Sequence, residues 1–140
     1  MRTVCDETGR QYLLLKESGE SSLVRDPASG ERRYVANDEL SPATGESPLA
    51  TAARAVPDPV RRLVTAVRDE RTLGLLVELN ERGPLAVRGV VGGYDLCESD
   101  VHGALAEFQA AGLVDETEVA GERGYELTGD GEAAVELLQR

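Results

Sequence analysis

The chain has 140 residues, room for one ordinary domain or for a small domain with an appendage. Its 26 Asp and Glu outnumber 15 Lys and Arg, for a net charge of −11 at pH 7, and 41% apolar residues suffice for a core. No apolar run approaches the roughly 20 residues needed to cross a bilayer, and MRTVCDETGR has no apolar segment behind its Arg. The expectation is a cytoplasmic protein without membrane association.

Residues 1–36 read as short strands, QYLLLK, SSLVR and RRYVA among them, separated by turns at DETG, ESGE and DPASGE. Three or four such strands make a small antiparallel meander that needs a helix over one face. Residues 37–57 read as a linker with a short helix from Pro48 to Val56. From Asp58 the period becomes helical. Asp58 reads as an N-cap with Pro59 at the first helical position, and Val60, Leu63, Val64 and Val67 form one stripe. Asp69 caps a second helix that stops at Gly83-Pro84. A third helix spans about Leu85 to Val91, with GGYD as the following turn. The next helix, residues 98–111, buries Val101, Ala104, Leu105 and Phe108. LVDETEV and GYELT form a hairpin around AGERG, and Thr128 caps a last helix. The fold class is α+β: a small antiparallel β-meander followed by a winged helix-turn-helix over residues 58–140.

Chemistry is sparse. Cys5 and Cys97 make no disulfide framework, and Cys97 with His102 lacks two further ligands for a zinc site. With one His there is no arrangement for covalent catalysis. No phosphate loop stands between a strand and a helix. No enzyme activity, cofactor or metal is expected. Dispersed acid, a single lysine (Lys16) and abundant Arg, Val and Ala suit the cytosol of a salt-accumulating microbe, where solvated carboxylates maintain solubility.

The stretch GPLAVRGVVGGYDLCESDVHGALAEFQAAGLV, followed by GERGYELTGDGEAAVELL, resembles the winged-helix domains of small archaeal and bacterial transcription regulators. The whole chain, including YLLLKESGESSLVRDPASGERRYV, resembles a haloarchaeal family of such proteins with a β-rich N-terminal extension. That resemblance implies double-stranded DNA as partner and a homodimer, with the Asp58–Val67 helix and the N-terminal strands as its candidate interfaces. In such regulators the reading helix begins Leu-Ser-x-Ser-Thr-Val-Ser-Arg-His-Leu. Laid on this chain, Leu96, Val101 and Leu105 match, but Cys97, Asp100, His102 and Gly103 replace the usual polar residues and only Ser99 remains.

The candidate DNA contacts are Glu98, Ser99, Asp100 and His102 on the reading helix and Arg123 at the wing tip, with Arg61, Arg62 and Arg88 toward backbone phosphate. Charge argues the other way. Residues 54–88 carry seven arginines against five carboxylates, whereas residues 89–140 carry two against twelve. At molar salt the Debye length falls to about 3 Å, so net charge alone does not exclude DNA. The alternative is a winged-helix interaction module of the transcription machinery, whose acidic face docks a basic protein and which does not itself read DNA.

Overall fold

The computed structural model describes residues 1–140, and the chain divides into two compact units, Met1–Pro57 and Asp58–Arg140. No helix is long and apolar enough to cross a membrane.

In the first unit, β1 (Arg2–Cys5), β2 (Gln11–Glu17), β3 (Ser21–Arg25) and β4 (Arg32–Ala36) pair antiparallel in sequence. A short β5 (Ser41–Pro42) returns to the free edge of β1, giving the order β4-β3-β2-β1-β5. One face buries Val4, Tyr12, Val24 and Val35, with Leu14 and Leu40 against them. The other face receives α1 (Pro48–Ala53), capped by the Ser47 hydroxyl. The buried hydroxyls of Thr3 and Thr51 meet at 2.7 Å and tie α1 to β1. Residues 37–57 are therefore not a linker. They add an edge strand and the covering helix that a bare meander lacks.

The second unit is a winged helix-turn-helix. It comprises α2 (Asp58–Ala66), α3 (Glu70–Arg82), β6 (Leu85–Ala86), α4 (Val87–Gly93), α5 (Glu98–Ala110), the wing strands β7 (Val114–Val119) and β8 (Glu122–Leu127), and α6 (Gly129–Leu138). Its core gathers Leu63, Leu76, Leu79, Val90, Val101, Leu105, Phe108 and Val135. Asp69 caps α3 through a capping box with Thr72. Thr128 caps α6.

Several boundaries differ from the sequence expectation. Asp58 is the first residue of α2 rather than its cap. Helix α4 begins at Val87, because Leu85 and Ala86 pair with Tyr125 and Gly124 as a third strand beside the wing. It runs through Gly93, and the turn that follows places Asp95 at φ 54°. The wing turn is only Ala120-Gly121, with φ of 50° and 80°, a type I′ connection flanked by the Val119–Glu122 pair. Arg123 consequently lies on β8 opposite Glu118, not in a loop.

Two substitutions test these contacts. A Cβ on Gly131 would land on the Leu113 carbonyl oxygen. Helix propensity favours alanine by about 1 kcal/mol, but this close approach reverses the sign. Gly131→Ala is expected to cost about 1–3 kcal/mol. Ala120→Asn supplies the residue that type I′ turns favour and should gain about 0.5 kcal/mol. Urea unfolding followed by circular dichroism checks both, and equal midpoints for the three proteins would contradict the two contacts.

Candidate nucleic-acid interface

Helix α5 is oriented by what it buries. Val101, Ala104, Leu105 and Phe108 face the core, so Glu98, Ser99, Asp100 and His102 are left exposed on its first turns. The N-cap, Cys97, provides no side-chain hydrogen bond, and the acids at Glu98 and Asp100 sit where the helix dipole favours negative charge. Part of the acidity of this helix is thus explained by its own end. His102 Nε2 lies 3.5 Å from Glu98 Oε1, one turn away. Ser99 Oγ lies 3.3 Å from Cys97 Sγ.

Between α4, the start of α5 and the wing runs an open groove of about 630 Å³. Val87 and Val91 supply apolar lining, with Arg88, Glu98, His102, Glu122 and Arg123 around them. Each cation here already has an anion. Arg88 Nη1 is 3.4 Å from Glu122, and Arg123 Nε is 2.9 Å from Glu116. Arg123 also donates to the Tyr125 hydroxyl at 3.0 Å with its guanidinium over that ring. The groove is lined with guanidinium donors, each held by a carboxylate.

The other candidates are dispersed. Ser99 and Asp100 line a second, smaller cleft on the opposite flank of α5, with Arg68, Asp69, Arg71 and Glu107. Arg61 pairs with Asp58 on its own helix at 3.4 Å. Arg62 fastens three elements: it donates to the Ala111 carbonyl at 3.1 Å and to Asp130 at 2.6 Å, and pairs with Asp58 at 3.0 Å. The Asp130 hydrogen bond is the main reason its pKa is raised above the ordinary arginine value. These contacts commit Arg62 largely to the fold. The sequence reading missed Glu116 and Glu122, the carboxylates that occupy the wing and α4 cations. The Ala-Gly turn was the available signal, since it fixes the hairpin register that brings Glu116 diagonally beside Arg123. No three His, Cys, Asp or Glu side chains converge on a metal-sized point.

Residues 1–139 match one known family over almost the whole chain. The chain belongs to DUF7346, a family of unknown function. No curated protein matches it in sequence. Among solved structures it is similar to HlyU from Vibrio cholerae N16961, with 29% identity, a TM-score of 0.50, and 59% of this chain and 89% of that one covered. It is likewise similar to the transcriptional regulator HlyU from Vibrio vulnificus CMCP6, at 27% identity and a TM-score of 0.50, covering 65% and 90%.

Asp69 offers a pH test of the α3 start. The Thr72 backbone N–H bond, then the Thr72 hydroxyl, hold its pKa below the ordinary carboxylate value. A depressed folded pKa means that its contribution is fully present above the unfolded value near 3.9 and is lost as pH falls through the folded one. Asp69→Ala should therefore be less stable than the parent at pH 7. The difference should shrink progressively once pH drops below about 4. Urea midpoints across pH check this; a gap of constant size would remove Asp69 as the cause.

Proposed function

We propose that this protein is a sequence-specific DNA-binding transcriptional regulator of a halophilic archaeon, acting in the cytoplasm as a homodimer. The observation that carries the reading is the similarity to the two HlyU chains, which reaches about nine-tenths of their length. The groove between α4, α5 and β8 supports it, because Arg88, His102 and Arg123 converge there from three elements. Binding exchanges one set of anions for another: DNA phosphates displace Glu122 and Glu116 from their arginines. Both carboxylates are partly exposed, and such pairs contribute about 0–1 kcal/mol each. The exchange is therefore nearly neutral, and at molar salt, with a Debye length of about 3 Å, the remaining acid repels DNA little. Ser99, His102, Glu98 and Asp100 would then set base preference from α5. For the dimer, α2 and α6 pack together yet leave Val64, Leu137 and Leu138 exposed, an apolar surface for a second copy. The single lysine and dispersed carboxylates support the halophilic setting.

One observation favours the second reading, a module that docks a basic protein: the first turn of α5 presents Glu98 and Asp100 and no cation. A genomic fragment pool incubated with the protein in multi-molar KCl, followed by sequencing of retained DNA, separates the two. A recurring motif lost in Ser99→Ala/His102→Ala/Arg123→Ala is the expected result. No enrichment over input at any salt would sink the regulator reading and favour the protein partner. In the same assay Glu122→Gln should strengthen binding by about two- to fivefold, with the larger effect at lower salt; weaker binding would contradict the exchange of anions.

A further inference from the structure

Cations without a carboxylate partner occur in both units: in the second, Arg71 donates to the Asp95 carbonyl and Arg82 to the Tyr94 hydroxyl, whereas in the first three share one face of a sheet. Around the groove and on α2, arginines are paired with carboxylates. Lys16, Arg25 and Arg32 have no ion-pair partner, and the register brings all three to one face of the N-terminal sheet. Leu13, Arg25 and Arg32 stand in one cross-strand row. Lys16, Leu23 and Tyr34 stand in another. Lys16 reaches this face only because the β2–β3 register shifts at Leu15; without that bulge it would share the side of Leu14 and Val24.

This is also the face on which Thr3 bonds α1, but α1 packs on β1 and β2 and leaves the β3–β4 half open. Lys16, Arg32 and Tyr34 are exposed, Tyr34 at 61%. Arg25 directly opposite Arg32 is a like-charge pair, which destabilises a sheet. Neither arginine forms an ion pair with a carboxylate. The two rows are two residues apart along the strands, about 7 Å, comparable with the separation of successive phosphates along one nucleic-acid strand.

We propose that the open face bearing Lys16, Arg25, Arg32 and Tyr34 binds the phosphate backbone of nucleic acid, the cations neutralising phosphates and Tyr34 packing on the sugar. The inference deepens the DNA-binding reading and rests on it for the choice of occupant. It also answers a difficulty in that reading. Residues 58–140 carry seventeen carboxylates against eight arginines, whereas residues 1–57 carry nine against seven. Sequence-independent attraction then comes from the sheet, and base preference from α5.

The test uses the full chain and a short random-sequence duplex, titrated over a range of KCl. Lys16→Gln/Arg25→Gln/Arg32→Gln is compared with wild type and with the Ser99/His102/Arg123 variant, circular dichroism confirming that each is folded. The sheet variant should lose about tenfold or more in affinity at the lowest salt. The slope of log affinity against log salt should fall by about two to three, one for each phosphate contact removed. Arg32→Gln alone carries a signature that a structural role would not give: a higher thermal midpoint without DNA, together with weaker binding. An unchanged slope, or no binding of the random duplex by wild type at any salt, overturns the proposal. So does a sheet variant that alters self-association in sedimentation but not DNA binding, since the occupant would then be the acidic surface of a second copy. If wild type binds the random duplex through the sheet yet enriches no genomic site, the sheet proposal stands and the sequence-specific regulator falls.

Discussion

Helix α5 can bury only one stripe, and the second unit is organised around that burial. Val101, Ala104, Leu105 and Phe108 are nearly inaccessible and meet residues from α2, α3, α4, β7 and α6 in a single core. Burying side chains of this size contributes about 1.5–3 kcal/mol for each of the larger ones. Rotating α5 to present other residues would forfeit it. The exposed faces of α5 are therefore fixed by the core, and whatever function this helix has is carried by residues the core does not need.

A second constraint holds the ends of α5 and α6. Arg62 bridges the last carbonyls of α5, at Ala111, to the first turn of α6, at Asp130, from a helix that is far from both in sequence. The chain is tight here. Gly112 has φ 75°, and a Cβ on it would lie 2.7 Å from the Arg62 guanidinium. The Thr128 hydroxyl closes the same corner, accepting from the Gly131 N–H at 3.0 Å and donating to the Gly112 carbonyl at 2.7 Å. The wing leaves the body of the domain through this corner, so its placement beside α4 depends on Arg62.

Excess acid shapes the surface differently in the two units. In the winged helix it pairs the arginines of the groove and of α2 with carboxylates. In the N-terminal sheet, Lys16, Arg25 and Arg32 share one face and form no ion pair. A net charge of −11 conceals this difference between the groove, whose arginines are paired, and the sheet face, where Lys16, Arg25 and Arg32 are not.

The sequence by itself determined most elements and the fold class. The 3.6-residue apolar stripes, the Asp69 and Thr128 caps and the Gly83-Pro84 stop are local signals, set by backbone hydrogen bonding and side-chain periodicity within a few residues. It also gave the family of winged helices to which α4 and α5 are similar. It showed the short helix at Pro48 but not that residues 37–57 complete a sheet, because a two-residue edge strand has too short a pattern to read. Nor did it reveal that Leu85 and Ala86 pair with the wing, that Arg62 serves the fold, or that Glu122 reaches Arg88. Those depend on residues tens of positions apart meeting in space. Register decided the last of them: one bulge at Leu15 moves Lys16 across the sheet, and one two-residue turn moves Arg123 from loop to strand. Such contacts are selected by the packing of the whole domain, which no local stretch of sequence encodes.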